Sequence, residues 1–142
     1  MRWDFYPYPK SGEVKPRWFI YLGRTSAMST PIFAFLCTTT TQVSEFAPGG
    51  KRGNHDIRRF DASSKIFEQP CVLDFDEEIH PVTQVTIDNC QDKIEQKGRL
   101  DTETMRSIYN RFMRSGIISK KVLIDMHDSF NRDGITGLKK PK

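Results

Sequence analysis

Two apolar runs in the first third of the chain set its hydrophobic pattern. Pro31-Ile32-Phe33-Ala34-Phe35-Leu36-Cys37 passes without a break into Thr38-Thr39-Thr40-Thr41, and Val14-Lys15-Pro16-Arg17-Trp18-Phe19-Ile20-Tyr21-Leu22 precedes it. Aromatic and β-branched residues over this length favour strands, and a tract of threonines disfavours a helix. Residues 23–30 are rich in Ser, Thr and Gly, as a turn is. The pattern predicts an antiparallel hairpin, with the start of the first run beside the end of the second. Lys15 and Arg17 are then neighbours of residues 38–41.

The remaining elements follow from shorter patterns. Residues 1–9 alternate aromatics (Trp3, Phe5, Tyr6, Tyr8) with polar residues and prolines, which predicts a short edge strand with Trp3 and Phe5 plugging one end of a barrel. Residues 65–75 read as two short strands kinked at Pro70. Residues 81–87 alternate, with Val82, Gln84 and Thr86 on one side and Thr83, Val85 and Ile87 on the other, as a half-buried strand does. About five short strands in succession argue for a small barrel. After Leu100 the period changes. Asp101 is a good N-cap, Met105, Ile108, Tyr109 and Phe112 make one apolar stripe, and Gly116 is the stop. A second helix over 119–130, capped by Ser119, presents Val122, Leu123, Met126 and Phe130. This face is expected to fold back on the preceding helix as an αα-hairpin that contributes to a dimer, with a frayed basic tail after it. The expected class is mainly β with C-terminal helices, divided into a barrel with its closing helix over 1–116 and a helical extension with a basic tail over 117–142.

Composition narrows the class. The 142 residues suit one domain, and 22 Lys and Arg against 18 Asp and Glu give a net charge of +4, which tilts the expected partner mildly towards an anion such as nucleic acid. The three cysteines, Cys37, Cys71 and Cys90, are odd in number and far apart, with no Cys-x-x-Cys pair. They imply neither a disulfide framework nor structural zinc. The N-terminus has no apolar h-region and no run reaches about 18 apolar residues, so neither secretion nor membrane spanning is expected, and a cytoplasmic protein is.

Candidate chemistry concentrates between the hairpin and the next strand. Residues 42–60 hold Lys51, Arg52, His55, Arg58 and Arg59, the most basic stretch in the chain, around a Gly- and Pro-containing loop. With Lys10, in a loop beside the N-terminal aromatics, they are candidate contacts to the phosphate backbone of a nucleic acid. Gly49-Gly50-Lys51-Arg52-Gly53 lacks the spacing of a phosphate loop. Asp74, Glu77 and His80 read as a solvated acidic edge and not as a metal set, because strand neighbours point to opposite faces and no distant ligand completes them. Asn131-Arg132-Asp133-Gly134 lacks the terminal carboxylate of a calcium loop. No metal and no cofactor are expected.

In this order the pieces resemble the MazF/PemK family, the small ribonuclease toxins of bacterial toxin–antitoxin pairs. The matching stretches are Arg2-Trp3-Asp4-Phe5-Tyr6, Val14-Lys15-Pro16-Arg17-Trp18-Phe19-Ile20, residues 32–39, Cys71-Val72-Leu73-Asp74, and residues 94–101 with the helix after them. The chain departs from the family at two positions, where Lys15 stands for an Arg before Pro and Val72 for an Arg two residues before the Asp. Lysine offers charge without the bidentate fork of arginine. Arg17, on the same strand face as Lys15, can substitute.

The resemblance implies a small SH3-like β-barrel, a homodimer, a small antitoxin partner, and metal-free cleavage of single-stranded RNA by attack of its own 2′-hydroxyl. Such cleavage needs a group that accepts or orients the hydroxyl proton, and donors on the phosphorane oxygens. The expected roles are Lys15 and Arg17 as phosphate neutralisers, Thr38 and Thr39 as orienting groups, and Asp74 or His55 as base. A non-catalytic relative that binds RNA or protein through the same fold is the alternative.

Overall fold

The hairpin of the two apolar runs is the centre of the molecule in the computed structural model, which describes residues 1–9 and 12–142. Among the described residues, seven strands form one antiparallel open sheet: Arg2–Trp3 (β1), Arg17–Arg24 (β2), Phe33–Thr40 (β3), Ile57–Phe60 (β4), Cys71–Asp74 (β5), His80–Thr83 (β6) and Ile94–Glu95 (β7). The helices are Gln84–Asn89 (α1), Thr102–Ser115 (α2) and Lys120–Arg132 (α3). Strand order is β4-β5-β3-β2-β1-β7, with β6 also on β3. The hairpin register sets Trp18 opposite Thr39, Phe19 opposite Thr38 and Ile20 opposite Cys37. The far edge of β3 is shared end to end, Thr39 and Thr40 pairing with β5 and residues Phe33 to Leu36 with β6.

Strand alternation assigns the two faces of the sheet. Ile20, Leu22, Phe35, Cys37 and Leu73 point to the side covered by α2 and α3, and with Ile108, Tyr109, Phe112, Met126 and Phe130 they make the main core. Phe19 and Leu36 point the other way and close a smaller core with Trp3, Tyr6 and Val82. Both long helices start as their sequences predict. The Thr104 N–H donates to Asp101 Oδ1 at 2.7 Å and the Val122 N–H to Ser119 Oγ at 3.4 Å, while Gly116 ends α2 at φ 73°. The apolar face of α3 is buried within its own chain. The Phe130 and Tyr109 rings pack tilted at 48° with centres 5.7 Å apart, and Ser129 seats the helix on β2, where its Oγ accepts from the Arg24 N–H and donates to the Arg24 carbonyl, both at 3.0 Å.

Four expectations are corrected. Residues 81–87 are a strand only to Thr83, whose hydroxyl accepts from the Thr86 N–H at 3.2 Å and starts α1, leaving Val85 65% exposed. The β-type alternation there loses to a threonine cap. In residues 65–75 only β5 forms, and its outer partner is β4, inside the stretch read as a basic loop. At the N-terminus β1 lies between β2 and β7 instead of at an edge, and Phe5, at φ 56°, turns out to 65% exposure while Trp3 is fully buried. The tail is held: Tyr109 Oη donates to the Lys139 carbonyl at 2.8 Å, Arg106 Nε to the Thr136 carbonyl at 3.1 Å, and Ile135 and Leu138 pack on the core.

Candidate functional site

The face of the sheet opposite α2 and α3 carries Thr38 and Thr40 from β3, Arg17 from β2, Asp74 from β5 and Arg59 from β4, because each is an even number of residues, or a direct cross-strand pair, from the next. Extending the β3–β5 register by one rung sets Thr38 opposite Asp74. Thr39 points to the other face, where its hydroxyl bonds the Cys71 thiol. That thiol is raised by burial.

Asp74 is the centre of the site. It is a buried carboxylate, 4% exposed, at the end of a strand whose other residues are all buried. His55 Nδ1 lies 2.7 Å from Asp74 Oδ2, the Asp76 N–H donates to Asp74 Oδ1 at 2.9 Å, and Arg52 Nη1 stands 3.8 Å from Oδ2. A buried charge survives only with such partners. Since the carboxylate accepts, the arrangement favours the imidazole tautomer protonated on Nδ1, which leaves Nε2 as an acceptor. His55 is brought here by the loop after β3, a 3₁₀ turn at Val43–Phe46 followed by backbone bonds from the Gly50 N–H to Ala47 and the His55 N–H to Arg52. Phe46, 4% exposed, is the loop's anchor, with Arg52 over its ring at 5.4 Å and the His55 ring 6.4 Å away.

Arg52 is committed inside this loop. Besides Asp74 it faces Glu45 at 3.3 Å and Glu77 at 3.9 Å, so its charge holds carboxylates together. Arg58 points to the helix side and donates to Ser107 Oγ at 3.0 Å and Thr104 Oγ1 at 3.5 Å. Lys51 and Arg59 are exposed, Arg59 on the face of the site. Arg17 is half-buried, its Nε covered and without a hydrogen-bond partner among the described residues, and its charge reaches Tyr6. Lys15 precedes β2 and is exposed, 3.5 Å from Glu13. Lys10 lies outside the described residues.

The anchoring role of Phe46 and the Tyr6–His80 pair were not expected from the sequence, whereas Glu45, an acid within the basic stretch, does pair with Arg52. Tyr6 Oη lies 3.3 Å from His80 Nδ1 on the same face as Phe19, and burial pushes the phenol up to about 12. Tyr6 is therefore a neutral hydrogen-bonding group near pH 7. One ligand atom each from His55, Asp74 and Asp76 lies within 4.8 Å of the others. His55 Nδ1 and both Asp74 oxygens already serve one another and the Asp76 amide, and Arg52 raises the cost of a further cation there.

The site thus combines an imidazole bonded to a buried carboxylate with the hydroxyls of Thr38 and Thr40 and the guanidinium groups of Arg17 and Arg59 on one sheet face, a set suited to moving a proton beside an anionic group. Comparison with protein-family models, with curated proteins and with solved structures finds no match to this chain.

Proposed function

We propose that the protein is an endoribonuclease that cleaves single-stranded RNA through the RNA's own 2′-hydroxyl, in the manner of the MazF/PemK toxins, with the sheet curled as their SH3-like barrel. The carrying observation is the 2.7 Å contact of His55 Nδ1 with buried Asp74, on the sheet face that also holds Thr38 and Arg17. His55 Nε2 accepts the 2′-hydroxyl proton, and the 2′-oxygen forms a bond to the adjacent phosphorus. Arg17 and the Thr38 hydroxyl stabilise the charge gathering on the non-bridging oxygens. The bond to the 5′-oxygen breaks, that oxygen takes up a proton, and the products are a 2′,3′-cyclic phosphate and a 5′-hydroxyl. Asp74 fixes the imidazole tautomer and steadies the imidazolium, a positioning role. Arg59 and Lys51 meet the flanking phosphates, and Lys15 joins them by giving up an exposed ion pair with Glu13 that is worth little. The same proposal includes a cytoplasmic homodimer and a small antitoxin partner.

One observation favours the second reading, a non-catalytic module that binds RNA or protein. Glu45, Asp74 and Glu77 surround the single Arg52, and surplus carboxylate repels a phosphate. End-labelled RNA incubated with the purified protein, with and without chelator, separates the cases. Fragments ending in a cyclic phosphate, formed equally in chelator, support the ribonuclease. Binding without fragments supports the module. Cleavage abolished by chelator and restored by magnesium overturns the metal-free route.

A further inference from the structure

Phe5 puts an aromatic ring into solvent from a backbone that does not suit it. Its φ of 56° is left-handed, unfavourable for a bulky side chain, and its ring is 65% exposed, so burial does not offset the strain. The turn itself is fixed from both sides. The Asp4 N–H donates to the Lys93 carbonyl at 2.8 Å, and Tyr6, 3% exposed, is sealed in the smaller core. Glycine would make the same turn without strain. A phenylalanine held there in solvent is a feature that the fold alone does not require.

Tyr8, 56% exposed, is a second ring in solvent, and it is backed. Tyr6 meets it edge-on, with ring centres 5.8 Å apart at 82°. Tyr6 is itself fixed: its ring centre lies 5.2 Å from that of Trp3 and 4.8 Å from that of Phe19, and its hydroxyl bonds His80 Nδ1 at 3.3 Å. A ring on such a support loses little freedom when a flat group is laid on it. Cationic charge stands next to these rings. Trp3 is the direct cross-strand partner of Arg17, so both project to the face that carries Thr38, and the Arg17 charge reaches the Tyr6 phenol. Exposed aromatic surface and a guanidinium are thus one side chain apart.

We propose that Tyr8 and Phe5 form a stacking site for an unpaired base of single-stranded RNA, next to the phosphate that Arg17 meets. A nucleotide offers the matching pair of groups, a flat base and an anionic phosphate. A base inside a duplex has both faces covered by its neighbours and cannot lie on the rings, so the site selects single strands. Stacking reads no hydrogen-bond pattern, so the site fixes where the strand lies and not which base occupies it. A hydrophobic peptide covers the rings but brings no anion to Arg17. The inference rests on the ribonuclease reading for the place of that phosphate, while stacking itself needs no cleavage.

The test is fluorescence-polarisation titration of the full chain with a fluorescein-labelled 2′-O-methyl RNA of mixed sequence, which lacks the attacking hydroxyl and so binds without being cut. Tyr8→Ala and Phe5→Ala should each weaken binding about fivefold to a hundredfold. Tyr8→Phe, which keeps the ring, should bind as wild type does, and Tyr8→Leu, which keeps only bulk, as Tyr8→Ala does. When a single abasic position is walked along the strand, at one position the missing base should weaken binding as much as Tyr8→Ala, and the two changes together should do no more than either alone. Phe5→Gly should weaken binding without lowering the urea midpoint, since it relieves the left-handed turn; a packing role for the ring would lower it. Wild-type affinity in both alanine variants, or no abasic position coupled to Tyr8, overturns the proposal. So does the absence of single-strand binding, which leaves the rings to a protein partner. Cleavage of natural RNA without that coupling sinks the stacking site and spares the ribonuclease, and coupling without cleavage does the reverse.

Discussion

His55 and Asp74 are 19 residues apart in the chain, and the folded loop sets Nδ1 of one 2.7 Å from Oδ2 of the other. In the proposed reaction the contact has a measurable weight. His55→Ala and Asp74→Asn are each expected to lower turnover by about 10²- to 10⁴-fold with small changes in RNA affinity, and the double variant should be little worse than the poorer single one. Single-turnover cleavage beside equilibrium binding checks this. Thr38→Ala should likewise lower turnover more than binding, while Lys15→Ala, at a flanking phosphate, should weaken binding more than turnover. Equal losses in binding and turnover would reduce His55, Asp74 and Thr38 to contacts.

A second expectation concerns the seat of α3. Gly23 has φ +116°, and a Cβ there would stand 2.6 Å from Ser129 Cβ and 2.9 Å from its Oγ. Gly23→Ala therefore combines an unfavourable backbone conformation with a clash, and should cost about 1–3 kcal/mol or more. Met126, fully buried under the same helix, should cost about 2–5 kcal/mol when replaced by Ala. Urea unfolding measures both. Midpoints equal to wild type would mean that α3 contributes little to holding β2.

These two sites differ in how far the sequence disclosed them. The hairpin, both long helices and their caps at Asp101 and Ser119 were legible because each rests on local signals: strand-forming runs around a turn, a 3.6-residue stripe, an oxygen three residues before an N–H. Arg17 and Thr38 share a face for the same reason, as the register of a hairpin follows from its pattern. The His55–Asp74 contact was not legible as a pair, although both residues stood among the candidates. It depends on the β4–β5 pairing and on the Val43–Phe46 turn, and β4 is only Ile57-Arg58-Arg59-Phe60, too short and too charged to signal a strand. The split of neighbours Arg58 and Arg59 between opposite faces follows only once that strand is known. α1 was hidden for the opposite reason, a clean alternation overruled by the hydroxyl of Thr83.

The third expectation is alkaline lability, from two buried phenols. Burial is the chief cause that pushes Tyr6 up to about 12, with Tyr8 adding and Arg17 opposing, and burial followed by the charge of Asp128 pushes Tyr109 up to about 12. An unfolded tyrosine loses its proton near pH 10. Between about pH 10 and 12 the unfolded chain has therefore released protons that the folded chain retains, and stability must fall as pH rises through that window. Below it the contribution is complete. The slope is at most about 1.4 kcal/mol per pH unit for each tyrosine. Tyr109→Phe keeps the ring against Phe130 and removes the hydrogen bond to the Lys139 carbonyl, so it should cost about 1 kcal/mol near neutrality and flatten the alkaline slope. Melting temperatures of wild type, Tyr6→Phe and Tyr109→Phe across this range decide the matter. If both variants lose stability with pH as steeply as wild type, the two phenols are not the groups that destabilise the fold in alkali.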